Sequence, residues 1–465
     1  MPIFLGDGKN KARPVQKTYL SHLTKSWDHH HTFGAHLPTG SGKTFIARTI
    51  QRALGSRALI LTVSNQLIDQ FTNDYPEVNL LKGRKHYDTG FEYHQAYADS
   101  RKYESIANPM AYYYAVIQNR MTIPDVLIID EAHKLYDAMF STAFMDFDVN
   151  SLSIPTFTDS HQLYKWNSDL LERCESRLNS VHTLSDQQQK YFWYLYEKSS
   201  MLHQLIKTGD ANYNFEYVYL YNKSKRKNTK HLRVTPIRLD KDLFWPFLKA
   251  KKLILMSGTL TRYDLKFYDQ RADYYNSAYL TKPENRIVKY TPVNQDQRKC
   301  PETLAKEVKR LWEHYERPNT MVHVSYDLQA KMAEFLPEAL THTKTDKEDA
   351  IRQFKDEGGL FLASGCAEGV DLPDDECRLI IIPTLLYPNL GDSQVQKRKA
   401  MYDGTLRYNL DTMMTTIQQL GRGARHANDS CVSHILDPMF SLLYQQTYTH
   451  LPNDLNIQWE YRHEV

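Results

Sequence analysis

The sequence predicts two parallel α/β domains, the first interrupted by a mostly helical insertion. Three observations carry this. Short continuous apolar runs recur in two groups, as strands buried on both faces require. Helical patterns separate the runs, and strand–helix alternation builds parallel sheets. Between the groups, from about residue 135 to 245, the alternation stops and helical stretches take over.

The first group is "TFGAHLPTG" (32–40), "RALILTV" (57–63) and "DVLIIDEAH" (125–133), and it resumes at "KLILMSGTL" (252–260). Residues 1–134 therefore form a first domain, 135–245 an insertion, and 246–280 the return. The insertion reads as helices such as "SDQQQKYFWYLYEKSSMLHQLI" (185–206), then a strand-like alternation "FEYVYLY" (215–221) and a basic tract "KSKRKNTKHLR" (223–233). Residues 281–465 form the second domain, with runs "TMVHVSY" (320–326), "GLFLASG" (359–365), "RLIIIPT" (378–384) and "CVSHILD" (431–437). Helical patterns "ETLAKEVKRLWEHY" (302–315) and "DLQAKMAEFLPEAL" (327–340) fall among them.

At 465 residues the chain exceeds one ordinary core, and 41% hydrophobic content is globular. A net charge of +3 still allows a local groove of Lys and Arg that grips a polyanion. Cys174, Cys300, Cys366, Cys377 and Cys431 are far apart with no C-x-x-C, which argues against a disulfide scaffold and a zinc or iron–sulfur site. The adjacent histidines at 29–31 read as a solvated loop. The N-terminus lacks the apolar core of a signal peptide. No stretch approaches the ~20 apolar residues of a membrane span, so a soluble, cytoplasmic protein is expected.

"LPTGSGKT" (37–44) lies between an apolar run and a helical pattern. Such a turn lets backbone N–H groups around Thr39, Gly40, Ser41 and Gly42 surround phosphate at a helix N-terminus. Lys43 then reaches the β- and γ-phosphates, and the Thr44 hydroxyl binds Mg²⁺. Leu37 stands where the strict pattern has glycine. In "VLIIDEAH" (126–133), Asp130 at a strand end suits Mg²⁺, and Glu131 suits a residue that orients or deprotonates water. The cofactors expected are ATP and Mg²⁺. No second acid cluster suggests a nuclease.

Asp-Glu-Ala-His after a phosphate loop resembles superfamily 2 helicases. "MSGTL" (256–260), "CAEGVDLP" (366–373) and "QQLGRGARH" (418–426) follow in the order of the XPD/DinG branch, and "LRVTPIRL" (232–239) resembles DinG-type chains leaving their inserted domain. The resemblance covers nearly the whole chain. It implies two tandem RecA-like domains with an arch-like insertion. It places Gln418, Arg422 and Arg425 toward the γ-phosphate, where guanidinium groups stabilise charge spread over equatorial oxygens. Gln16 matches the glutamine that reads adenine. His133, Ser257, Gly258 and Thr259 match elements coupling the ATP site to the strand-binding groove. Glu368 and Gly369 match the coupling element of the second domain, with Asp371 on the nucleotide side.

Cluster-bearing members of the branch carry four cysteines between phosphate loop and DEAH box. Residues 45–129 here contain none, so no iron–sulfur cluster is expected. For nucleic acid, Lys225, Arg226 and Lys227 lie in a basic, aromatic tract, and "QVQKRKAMYDGTLRY" (394–408) has a similar mixture. Ser325 and Tyr326 resemble a backbone-contacting motif. The tyrosine alternation at 215–221 reads more simply as one packed strand face. The resemblance implies a monomeric ATP-dependent 5′–3′ helicase on single strands, DNA favoured over RNA. A nucleoprotein remodeller that does not unwind and a nucleotide-gated clamp stay open.

Overall fold

A computed structural model describes the chain apart from residues 1–5, 39, 64, 83–89, 100–103, 181–183, 223–225, 278–282, 367–369, 371, 402, 425, 427, 452–454, 456 and 460–465. Residues 1–35 and 42–275 form one compact unit; residues 276–465, with the short run 36–41, form the other. Among the described residues, no helix is long and apolar enough to cross a membrane.

The first unit is built on β1 (Thr32–His36), β2 (Ala58–Thr62), β3 (Asn79–Leu81), β4 (Ser105–Ala107) and β5 (Val126–Asp130). The chain then leaves for β6 (Met145–Asp148), β7 (Tyr213–Asn222) and β8 (Lys227–Pro236), and returns as β9 (Lys252–Ser257) and β10 (Asp273–Asn276). The main sheet has the order β10-β1-β9-β5-β2-β4-β3. Neighbours β2, β5 and β9 run parallel, with Asp130 beside Thr62 on one side and Met256 on the other. Leu59, Leu61, Leu127, Ile129, Leu253 and Leu255 are all buried. Each such side chain contributes roughly 1.5–3 kcal/mol, which explains the continuous apolar runs.

The inserted segment carries more strand than its composition suggests. Helices Ser160–Asn179 and Asp186–Lys207 start at side-chain caps, Asp159 and a Ser185/Gln188 capping box. They are joined across their interface by Asn167 and Ser199, at 2.7 Å between Ser199 Oγ and Asn167 Oδ1. Beside them lies an antiparallel sheet of order β6-β8-β7. Leu163, Trp166 and Leu202 share one apolar cluster with Leu127 and Leu255 of the main sheet, so insertion and first sheet have a common core.

The second unit holds β11 (Arg286–Tyr290), β12 (Thr320–Val324), β13 (Leu360–Ser364), β14 (Leu379–Ile382), β15 (Cys431–Ile435) and β16 (Ile457–Trp459). Their order is β13-β12-β14-β15-β11-β16, with every neighbouring pair parallel. Met321, Ile380 and Ile382 pack on one face, and Val322, Val324, Leu379 and Ile381 on the other. One expected helix is shorter than its pattern. The stretch 327–340 is helical only over Tyr326–Ala333. Pro337 has no N–H to donate, and its ring collides with the carbonyl four residues back, at Ala333.

Candidate active site

Two helices frame the phosphate loop: α1 (Pro14–Ser26) and α2 (Lys43–Leu54). Gly40 and Gly42 have φ of 82° and 77°, left-handed values that disfavour a side chain. Gly42 directly precedes α2, where free N–H groups and the helix dipole favour an anion. A Cβ at 42 would also run into the Gln16 side-chain amide. Gln16 is buried, and its Oε1 accepts from Arg13 N at 2.8 Å. The structure therefore seats Gln16 against the phosphate loop.

The second strand of the site, β5, ends in Asp130, whose Oδ1 accepts from Glu131 N at 2.9 Å. Glu131 itself is left-handed, at φ 51°. A non-glycine residue in that region stores strain of order 1–2 kcal/mol, and such strain gathers at functional positions. The turn aims Glu131 at its neighbours. Its Oε1 lies 3.2 Å from Lys43 Nζ, and its Oε2 lies 3.4 Å from His133 Nδ1. His133 Nδ1 is 2.7 Å from Ser257 Oγ at the end of β9, and that hydroxyl accepts from Thr259 N at 3.0 Å. Lys43, Glu131, His133, Ser257 and Thr259 thus form one polar string, and Gly258 lies within it.

Thr44 and Asp130 line the same small cleft, together with Thr62 and Gln70. A hydroxyl and a carboxylate so placed are hard oxygen donors of the kind Mg²⁺ takes beside phosphate. Burial, with the adjacent Glu131 charge, pushes the Asp130 carboxyl up to about 6. For Glu131, burial acts in the same direction but is outweighed by Lys43 and His133, which hold its carboxyl below the usual range. The glycine turn, lysine and paired oxygen donors fit a magnesium-bound nucleoside triphosphate.

The arginine motif of the second unit is organised differently. Arg422 is buried; its guanidinium donates to Val370 O at 2.7 Å and to Gln418 O at 3.1 Å. The γ-phosphate role expected of Arg422 is not what these contacts serve. Its planar fork satisfies two carbonyls inside its own unit. Gln418 lies in the last turn of the helix Gly404–Leu420. A Cβ at Gly423 would meet Cys431 Sγ and the Cys377 carbonyl. Beyond, His426 Nε2 is 3.0 Å from Asp374 Oδ1, and buried Asp429 accepts from Arg378 at 2.9 Å and from Asp374 N at 3.2 Å. Asp374, His426 and Asp429 converge, but Arg378 already supplies positive charge there. The segment is therefore anchored on both sides of residue 425. Arg425, Thr39, Lys225, Glu368, Gly369 and Asp371 lie outside the described residues.

Ser325 caps the helix Tyr326–Ala333, accepting from Leu328 N at 3.3 Å, which accounts for its hydroxyl. Tyr326 meets the edge of His342, with Lys344 above its ring. Arg226 and Lys227 are exposed beside the β7–β8 turn. The anchors Val370, Asp374, His426 and Asp429 were not singled out from the sequence; Val370 acts through its backbone and leaves no side-chain signature.

Residues 9–152 match the family of the type III restriction enzyme res subunit, and residues 304–455 match the helicase C-terminal domain family. Among solved structures, the fold is similar to one described as an XPD helicase, with TM-score 0.59 and 15% identity over 97% of this chain and 99% of that one. It is equally similar to S. tokodaii Xpd4, with TM-score 0.59 and 15% identity over 97% and 100%. The two domain matches, in this order, lie on a fold similar to that of the XPD helicase structures.

Proposed function

We propose that the chain is an ATP-driven motor on single-stranded nucleic acid, a 5′–3′ DNA helicase of DinG type, with residues 135–245 as its arch-like module. One observation carries the motor reading: the polar string from Lys43 through Glu131 and His133 to Ser257 links the start of α2 to the ends of β5 and β9. A site whose parts are so joined senses nucleotide at one end and relays it at the other. In this reading the start of α2 and the Lys43 ammonium bind the β- and γ-phosphates. Thr44 and Asp130 would hold magnesium, which would supply charge neutralisation. Glu131, released from Lys43, takes a proton from the attacking water. Arg425 stabilises the charge on the equatorial oxygens, while Gln16 recognises the base.

The absence of cysteine over residues 45–129 favours a second reading, a remodeller that strips bound proteins without parting strands, since no cluster module supplies the wedge. ATP turnover with matched DNA and RNA single strands, followed by forked duplexes of both polarities, separates the cases. Strand-stimulated turnover with release from a 5′-tailed fork is expected. Turnover indifferent to any single strand would sink both motors and leave the clamp.

A further inference from the structure

The β7–β8 hairpin changes character along its length. Phe215 faces Val234 and Tyr217 faces Leu232, and this inner half packs on the shared core. The Tyr217 hydroxyl is satisfied, donating to Pro155 O at 2.6 Å. The same face then runs on beyond the core as Tyr219 opposite Lys230 and Tyr221 opposite Asn228. Here the rings are 69% and 65% exposed, and neither has a polar or stacking partner among the described residues. The expectation of one packed tyrosine face therefore holds only for its inner half.

Charge follows the same division. From Tyr217 to Lys230 the chain carries five Lys or Arg residues and no Asp or Glu. Of these, Arg226 and Lys227 are exposed, and Lys230 Nζ sits 4.6 Å from the centroid of the Tyr217 ring. β7 is also the edge strand of its sheet. Edge lysines alone have a simple explanation, since they discourage pairing with other chains. Two exposed rings on that edge do not, because they invite association. Rings on one strand face, two residues and about 6.8 Å apart, flanked by cations with no acidic partner among the described residues, suit a polyanion with flat bases.

We propose that Tyr219 and Tyr221, with Arg226, Lys227 and Lys230, form a stacking platform for single-stranded nucleic acid on the insertion. This rests on the motor reading and adds to it a place where bases are held outside the ATP-binding sheet. Stacking reads the base plane, so the platform is indifferent to sequence and to the sugar.

The test is fluorescence anisotropy of labelled oligo-dT and oligo-U with the whole chain. Y219A/Y221A should weaken binding of both by about 25-fold or more, given about fivefold or more per stacked ring. Y219F/Y221F should bind within about twofold of the parent. K227A/K230A should bind more weakly and with a shallower salt dependence. Turnover without oligonucleotide, and the melting temperature, should stay at parental values in Y219A/Y221A. Parental oligonucleotide affinity in that folded variant overturns the platform alone, and loss of self-association in its place would assign the rings to a protein contact. A parent chain that bound neither oligonucleotide would overturn the motor reading, and the platform with it.

Discussion

The phosphate-loop site and the arginine segment are both motif-bearing, yet their residues are committed differently. In the first unit the motif side chains face one another: Lys43, Glu131, His133 and Ser257 are linked in one string. In the second unit Arg422 faces inward, spent on the carbonyls of Val370 and Gln418. The difference teaches that adjacent members of one motif need not share one job. With Arg425 as the proposed finger, Arg422, three residues away, is assigned the part of its mount.

The comparison can be broken from either side. Lys43→Ala removes the ammonium that both pairs with Glu131 and is assigned the phosphates, and phosphate release should fall to background. Next, Arg425→Ala should lower turnover by ~10³ with nucleotide affinity kept, as for a charge-stabilising finger. Its twin should fail differently. Arg422→Ala removes the side-chain donor of Val370 O, at about 1–3 kcal/mol if that carbonyl stays buried, while Gln418 O still accepts from Gly421 N. Denaturant titration should register the loss in the second unit, and Arg422→Lys should recover only part of it. If Arg422→Ala melted like the parent while losing turnover as Arg425→Ala does, the mount would in fact be a finger.

Acid should also distinguish the two halves. Burial, with the Arg422 charge, depresses His323 to about 3, and burial with Lys289 and Arg310 depresses His434 to about 4. Both rings are neutral when folded at neutral pH. As pH falls below the ordinary histidine value of about 6.5, the unfolded chain takes up protons that the folded chain refuses, so stability is complete above that value and declines below it. At pH 5 each ring should subtract about 2 kcal/mol from the second unit. His434→Gln should flatten that slope by one ring's share; an unchanged slope would exclude His434 as its source. The smallest effect is expected for Ser257→Ala. Losing one hydrogen bond of about 1 kcal/mol should reduce strand-stimulated turnover by about fivefold and leave nucleotide affinity alone.

Much of this was legible beforehand, for reasons that differ by region. The phosphate loop needs backbone freedom at Gly40 and Gly42, and the roles proposed for Lys43, Thr44 and Asp130 need those side chains, so chemistry writes itself into residue types. Strands buried on both faces leave unbroken apolar runs, as in β5, β9 and β14. The role of Arg422 left no such trace, because its partner is the main chain of Val370, remote in sequence. Short strands such as β3, at the sheet edge, and its neighbour β4 are too brief to show a period. At β7, alternation announced a face but not whether anything lies over it, so Tyr217 and Tyr219 look alike in sequence and differ in the fold.

The path of the chain around the insertion has one more consequence. The polypeptide leaves the main sheet at the tip of β5, through Glu131 and His133 into the helix Leu135–Ala143, and rejoins it at the far end of the adjacent strand, β9. A pull on the inserted module therefore travels along a covalent tether that begins at Glu131, the carboxylate proposed to take a proton from water. Under the proposed function, tension on the insertion and turnover share that root, with no messenger between them other than the taut backbone.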